Sequence, residues 1–237
     1  MCGIVGYIGN KDALPILIEG LKRLEYRGYD SVGIAIIPKD KIVIKKCKGK
    51  IKNLEELLGS KDISESHIGI SHNRWATHGP PTNINAHPHQ DCSGDIAVVH
   101  NGIIENFNEL KKQLIEEGHK FKSQTDTEVI SHLVEKYYKG CLKEAVLKTV
   151  KDLKGSFALG VISKNNPDRI IAARKESPLI IGVGDGENFI ASDVPAILKY
   201  TKKVIYLEDG EVALLTKDRV EVFDSDGKSR NKNIDVI

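Results

Sequence analysis

The order of predicted secondary structure along the chain most constrains its fold. Short apolar segments with the period and length of strands lie near both ends of the chain, whereas helical patterns are grouped in the middle. A doubly wound parallel sheet requires strands and helices in regular alternation, so this order excludes that architecture. We therefore predict an α+β fold in which two packed sheets carry helices on their outer faces.

One long segment within this order lacks any periodicity. Residues 76–94 are rich in Pro, Asn, His and Gly and carry almost no aliphatic side chains. Long segments without regular structure inside a compact domain usually form lids or binding loops. We expect a binding loop here.

Charge and hydropathy exclude several classes of protein. The 237 residues include 35 Lys and Arg against 33 Asp and Glu, a net charge of +2, which argues against a nucleic-acid partner bound through a strong basic field. No apolar run approaches the roughly 20 residues of a membrane span, so we expect no membrane partner. The four cysteines are far apart, without a C-x-x-C pair, which fits a reducing compartment. We expect a cytoplasmic protein.

The sequence contains no recognisable cofactor or metal motif. The glycines Gly182, Gly184 and Gly186 do not form a dinucleotide loop, because acidic neighbours would repel phosphate and no long helix follows. Cys92 lies near His87 and His89, but no ligand spacing such as H-E-x-x-H is present. We expect neither a cofactor nor a metal. No such ligand spacing relates His67, His72, His78 or His100 either.

Cys2 directly follows the initiator Met. Cysteine is small enough that the Met is normally removed, which would leave an α-amine on the residue that carries the thiol. The α-amine has an ordinary pKa of roughly 7.7–8.0, close to the thiol at about 8.5, so it can accept the thiol proton. An N-terminal nucleophile of this kind needs no histidine partner. The alternative is a buried N-terminal thiol without a catalytic role.

The dipeptide Asn101-Gly102 has two interpretations. Between two apolar segments it is a favoured two-residue hairpin turn. The side-chain amide of Asn101 and the backbone N–H of Gly102 could instead form an oxyanion hole.

Two further segments carry candidate binding residues. The only Trp stands in Arg74-Trp75-Ala76-Thr77-His78-Gly79, and Arg is the side chain that grips a carboxylate bidentately. A core Trp and a surface ion pair would give the same pattern. Thr125-Asp126-Thr127-Glu128 predicts a helix capping box, in which Asp126 either favours the helix start or receives a ligand ammonium group.

Six blocks in this order resemble one family. The sequence is similar to the glutaminase domain of glucosamine-6-phosphate synthase, a class II glutamine amidotransferase, from Cys2 to about Asp224. The blocks are Cys2-Gly3-Ile4-Val5-Gly6, Leu24-Glu25-Tyr26-Arg27-Gly28-Tyr29-Asp30-Ser31, Arg74-Trp75-Ala76-Thr77-His78-Gly79, Asn85-Ala86-His87-Pro88-His89, His100-Asn101-Gly102-Ile103-Ile104-Glu105-Asn106 and Thr125-Asp126-Thr127-Glu128. The chain departs from the family pattern at Asn73, where Thr is common.

The resemblance implies a fold and a domain organisation. The fold would be the four-layer αββα sandwich of N-terminal nucleophile hydrolases. Residues 2–224 would form the glutaminase domain. The polar residues 225–237 would begin a linker to a sugar-isomerase domain that is absent here, either because the domain was excised or because the synthase is split between two chains.

The resemblance also implies an activity. Cys2 would attack the side-chain amide of L-glutamine and form a thioester, with Asn101 and Gly102 holding the oxyanion. The ammonia would reach fructose 6-phosphate on the sugar-isomerase domain, in cis or on a separate chain, to give glucosamine 6-phosphate. The substrate-binding residues would be Arg74, Trp75, Thr77, His78, His87 and Asp126. Two alternatives remain: a glutaminase that serves another acceptor, and a non-catalytic glutamine-binding regulatory module.

Overall fold

The computed structural model describes residues 2–59 and 64–237. Within these ranges the strands are β1 (Gly3–Gly9), β2 (Ser31–Ile36), β3 (Val43–Lys48), β4 (Ile68–Arg74), β5 (His89–Gln90), β6 (Ile96–Ile104), β7 (Gly155–Ser163), β8 (Asn166–Lys175), β9 (Ile180–Val183), β10 (Glu187–Ala191), β11 (Lys203–Tyr206), β12 (Glu211–Leu215), β13 (Val220–Phe223), β14 (Ser229–Arg230) and β15 (Asp235–Val236). The helices are α1 (Ala13–Arg23), α2 (Ile51–Gly59), α3 (Phe107–Glu116), α4 (Glu128–Tyr137) and α5 (Leu142–Asp152), and short 3₁₀ turns span Glu25–Arg27 and Val194–Ala196.

The strands form two antiparallel sheets. The eight-stranded sheet has the order β15-β11-β9-β10-β1-β4-β2-β3, and the seven-stranded sheet has the order β14-β13-β12-β8-β7-β6-β5. β1 lies inside its sheet, between β10 and β4. Cys2, which directly precedes β1, is therefore held at the end of an interior strand rather than at a free edge.

Three apolar cores separate four layers. Alternate residues of a strand face opposite sides of a sheet, and in β1 Ile4 and Ile8 pack between the two sheets while Val5 and Tyr7 pack against α1 and α2. In β7, Leu159 and Val161 face the core formed with α3, α4 and α5. The result is the predicted α+β arrangement, with helices outside two packed sheets.

The structure also corrects local predictions. Asn101 and Gly102 do not form a hairpin turn, because β6 continues through them and pairs with β7 as far as Ile104. The capping box is wrong as well: Glu128 accepts the backbone N–H groups of Lys122 and Ser123, so its carboxylate caps the preceding loop. The aperiodic segment 76–94 contains only the two-residue strand β5.

The final residues pair with both sheets. β14 pairs with β13, and β15 pairs with β11 at Lys203 and Val204, although the residues of both short strands are exposed. The assignment of 225–237 to a linker stays a prediction. No helix in the described ranges is long and apolar enough to cross a membrane.

Candidate active site

Cys2 lies in a cavity of about 300 Å³ where the ends of β1, β4 and β6 meet. Cys2, Trp75, Thr77, Asn101 and Gly102 were predicted from the sequence as site residues, and all five line the cavity. The remaining wall is formed by Arg27, Ile103, Ser156, Ser177 and Pro178. The structure thus brings the predicted nucleophile and both predicted oxyanion donors to one cavity.

Among residues 2–59 and 64–237, the Cys2 thiol hydrogen-bonds only with backbone. The N–H of Trp75 donates to Sγ at 3.2 Å, and Sγ lies 3.4 Å from the carbonyl oxygen of Trp75. Burial raises the pKa of the Cys2 thiol. Within residues 2–59 and 64–237, no histidine hydrogen-bonds to Sγ, so a base has to come from another source.

Two side chains anchor the carbonyl oxygen of Cys2. Arg27 Nε donates to it at 2.9 Å, and Asn101 Nδ2 donates at 3.0 Å. Asn101 carries two N–H bonds on Nδ2, so this contact leaves one of them for a ligand. Arg27 lies in one of the family blocks, but its spacing from Cys2 in the sequence gives no indication of this contact.

Gly102 adopts a backbone conformation that requires glycine. Its φ is +120°, and a Cβ atom at this position would lie 2.2 Å from the carbonyl oxygen of Ser156 on the neighbouring strand β7. Positive φ strains residues with a side chain, and a backbone atom cannot move aside cheaply. This distortion inside β6 is the local reason that Asn-Gly occurs in a strand rather than in a turn.

His72 determines which way the amide of Asn101 points. His72 Nε2 lies 2.9 Å from Oδ1 of Asn101 and 3.0 Å from the carbonyl oxygen of His100. A carbonyl oxygen can only accept, so Nε2 carries the proton and donates to both oxygens. This donation turns the Nδ2 group of Asn101 toward Cys2. Burial lowers the pKa of His72 to about 3 and keeps the ring neutral.

His72 belongs to a buried group of neutral histidines. Its ring stacks on His87 at 4.1 Å, and His87 contacts His89 edge-on at 4.9 Å. Burial lowers the pKa of His87, His89 and His100 as well. His87 therefore lies beneath the cavity rather than in its wall.

Arg74 is the last residue of β4 and is buried. Its guanidinium donates to the carbonyl oxygens of His78, Gly79 and Pro80 and so closes the loop that follows Trp75. Burial lowers the pKa of Arg74, while the charges of Cys2, Asp126 and Asp30 raise it. Arg74 is thus near the cavity without lining it.

Three other predicted residues, Asp126, His78 and His87, also lie outside the cavity wall. Asp126 is buried and accepts the N–H of Ile104 at 2.9 Å, at the end of β6. His78 packs edge-on against Phe107 at 5.5 Å. With His87 and Arg74, these residues support the strand ends and the loop from behind.

Asn73 connects two of the family blocks. Its buried side chain donates from Nδ2 to the carbonyl oxygens of Leu24 at 2.7 Å and Gly28 at 3.0 Å. Gly28 in turn lies so close to the backbone of Arg74 and Trp75 that a Cβ atom there would come within 2.8 Å of Trp75 N. The departure from Thr at this position therefore supports the packing beside Cys2.

The chain matches a family model described as glutamine amidotransferase domain over residues 72–199. That match covers more than half of the chain, and the chain belongs to this family. Its fold is the four-layer sandwich of N-terminal nucleophile hydrolases, and it matches solved structures of amidotransferases.

Curated relatives narrow the comparison. The chain is 60% identical over 234 residues to the glutamine–fructose-6-phosphate aminotransferase (isomerizing) of Caldanaerobacter subterraneus subsp. tengcongensis, covering 99% of this chain and 38% of that protein. It is 58% identical over 234 residues to the protein of the same name from Aquifex aeolicus, covering 99% of this chain and 39% of that protein. The chain therefore spans less than half the length of these relatives.

A solved structure of glutamine phosphoribosylpyrophosphate amidotransferase from B. subtilis, complexed with ADP and GMP, matches with a TM-score of 0.80. The identity is 27%, and the match covers 98% of this chain and 50% of that one.

Proposed function

We propose that this chain hydrolyses the side-chain amide of L-glutamine to glutamate and ammonia, with Cys2 as nucleophile. The observation that carries the proposal is the meeting of the Cys2 thiol, the Asn101 amide and Gly102 in one cavity at the ends of two interior strands. Similarity to glutamine–fructose-6-phosphate aminotransferases supports the same substrate.

The first half of the reaction forms a thioester. Removal of Met1 leaves an α-amine on Cys2, which takes the thiol proton in the absence of a histidine base. The thiolate attacks the amide carbon of glutamine, and the free N–H of Asn101 Nδ2 and the N–H of Gly102 stabilise the oxyanion. The C–N bond then breaks, and the amine returns its proton to the leaving ammonia.

The second half regenerates the enzyme. Water, deprotonated by the same α-amine, attacks the thioester carbon, and the C–S bond breaks to release glutamate and the Cys2 thiol. Burial raises the pKa of this thiol, so a base on the same residue lowers the cost of forming the thiolate.

We assign the charged ends of glutamine to the residues behind the cavity wall. Arg74 would bind the α-carboxylate and Asp126 the α-ammonium group, with Trp75, Thr77, His78 and His87 shaping the loop around them. Arg74 now donates to the carbonyl oxygens of residues 78–80, so substrate would compete with that loop for the guanidinium. Transfer of the ammonia to fructose 6-phosphate on a sugar-isomerase partner, and a cytoplasmic location, are part of this proposal.

The decisive experiment compares the chain with and without Met1. N-terminal mass analysis would identify each form, and glutamate release from glutamine would be measured for both. We expect turnover only after Met1 removal, because Met1 converts the α-amine into an amide that cannot accept a proton. Equal turnover of the two forms would overturn the α-amine mechanism. Glutamine binding without turnover in the processed chain would instead favour a regulatory module.

A further inference from the structure

Four potential metal ligands converge outside the candidate active site. Cys92 lies in the loop between β5 and β6, His119 follows α3, and His132 and Glu135 lie one turn apart on α4. One donor atom of each residue lies within 4.8 Å of the donor atoms of the other three. The cluster thus joins three separate chain segments through side chains that are not used in the proposed reaction.

Three distances within this cluster match the edges of a zinc tetrahedron. Zinc–sulfur bonds of about 2.3 Å and zinc–nitrogen bonds of about 2.0 Å give S–N edges of about 3.5 Å and N–O edges of about 3.3 Å. Cys92 Sγ lies 3.5 Å from His132 Nδ1 and 3.7 Å from His119 Nδ1. His132 Nδ1 lies 3.3 Å from Glu135 Oε2. His119 Nδ1 is closer to that oxygen, at 2.8 Å, and a small rotation of Glu135 would open this edge.

The surroundings of the cluster resemble the outer shell of a metal site. The N–H of Lys120 donates to Cys92 Sγ at 3.3 Å, a contact that stabilises a thiolate. His132 is buried, and its outer nitrogen Nε2 has no hydrogen-bond partner within the described residues; Glu128 Oε1 lies 3.8 Å from it, beyond hydrogen-bond distance. Glu128 is itself held by the N–H of Ser123 at 2.6 Å. A carboxylate orients a metal-binding histidine and raises its basicity when it accepts this N–H, which here requires Nε2 and Oε1 to move closer together.

The geometry points to a zinc site: we propose that Cys92, His119, His132 and Glu135 bind one Zn²⁺ or a similar borderline transition-metal ion. Thiolate and imidazole donors disfavour Mg²⁺ and Ca²⁺, which take oxygen ligands. Four protein ligands fill a tetrahedron, so the site is structural and pins the β5–β6 loop and the end of α3 to α4. Binding forms the metal–sulfur bond and releases the Cys92 thiol proton to solvent. Cys92 is exposed, which gives the ion a path inward.

Cobalt binding provides the first test. The reduced, tag-free chain would be titrated with Co²⁺, which reports thiolate ligation through a charge-transfer band and tetrahedral geometry through intense visible bands. We expect one equivalent to bind, and Zn²⁺ to displace it. Cys92→Ser should abolish the charge-transfer band, whereas Cys47→Ser, which alters another free cysteine, and Cys2→Ala should leave it unchanged.

Thermal unfolding provides the second test and does not depend on glutaminase activity. At a free Zn²⁺ concentration about 100 times the Kd, we expect the Tm of the parent chain to rise by on the order of 5–10 °C, and that of His119→Gln or Cys92→Ser to rise much less. The absence of a thiolate–cobalt band in the parent chain would overturn the proposal. So would an equal zinc-dependent rise in Tm in the parent and both variants.

Discussion

Two of the four cysteines, Cys2 and Cys92, lie in contrasting environments. In the part of the chain that the structure describes, Cys2 Sγ hydrogen-bonds only with the backbone of Trp75, in a cavity of about 300 Å³. Cys92 Sγ lies within 3.7 Å of two histidine nitrogens and receives a backbone N–H at the surface. A search for a cysteine beside a histidine base would select Cys92.

This difference shows that a histidine near a cysteine does not identify a nucleophile. Around Cys2 the histidines are neutral and act through their neighbours: His72 orients Asn101, and His87 stacks on the ring of His72. Around Cys92 the histidine nitrogens face the sulfur directly, an arrangement that suits metal ligation. The cavity and the strand ends, rather than the cysteine–histidine distance, separate a candidate catalytic thiol from a candidate ligand.

The largest effect expected from this contrast is on activity. Cys2→Ala should lower glutaminase turnover by on the order of 10⁴-fold or more, because it removes the proposed nucleophile. Cys92→Ser should leave turnover of the processed chain within about twofold, since Cys92 lies outside the cavity. Both variants would be assayed for glutamate release from glutamine. Activity that survives Cys2→Ala, or is lost with Cys92→Ser in a folded chain, would reverse the assignment of the two thiols.

A smaller effect, on the free energy of unfolding, is expected when one glycine near Cys2 and one near the Cys92 cluster are replaced by alanine. At Gly102, with φ +120°, an added Cβ atom would lie 2.2 Å from a backbone oxygen, whereas at Gly118, next to His119 and with φ +98°, it would meet nothing within 4 Å. Gly118→Ala should cost about 1–2 kcal/mol from backbone strain alone. Gly102→Ala should cost at least about 1–2 kcal/mol more, because β7 must shift. Urea unfolding would measure both free-energy costs, provided that the slope m is the same in the parent chain and the variants. Equal costs would mean that β6 adapts without resistance.

A third effect is the pH dependence of stability that the histidines near Cys2 produce. Burial lowers the pKa of His72 to about 3, below the value of about 6.5 expected in the unfolded chain. The unfolded chain therefore takes up a proton first, so stability is full above pH 6.5 and falls as pH decreases toward 3. For one such histidine the loss from pH 7 to pH 5 is about 2 kcal/mol.

Urea unfolding at pH 7 and pH 5 would measure this loss, with a chelator present so that bound metal does not contribute. His72→Phe should reduce the pH dependence. An unchanged free energy of unfolding between the two pH values in the parent chain would contradict a neutral histidine group beneath the cavity.

Much of the architecture was predictable because local patterns encode it. The grouping of strand-like and helical apolar patterns along the chain indicated the α+β class with helices outside two packed sheets. Cys2 was predicted as the nucleophile because removal of Met1 would place an α-amine on the residue that carries the thiol. The resemblance of the ordered blocks to one family predicted that Asn101, Gly102, Trp75 and Thr77 share a site with Cys2. All four line the cavity with Cys2.

Local chemistry failed where a residue serves a distant partner. Asn-Gly favours a turn, but the pairing of Gly102 with Phe157 keeps it in β6. Thr125 has the position of the N-cap in a capping box, but its hydroxyl pairs with His89, 36 positions away. In each case, long-range packing outweighed a local preference of about 1 kcal/mol.

By itself, the sequence indicated the α+β class, the grouping of strands and helices along the chain, and Cys2 as the candidate nucleophile. Only the tertiary structure decided that Arg27 anchors the Cys2 carbonyl, that His72 turns the amide of Asn101, and that Cys92 meets His119 and His132. The physical reason is range. Periodicity reflects contacts a few residues apart, whereas these pairs are separated by 25 to 40 positions and meet only when strand register and helix packing are complete.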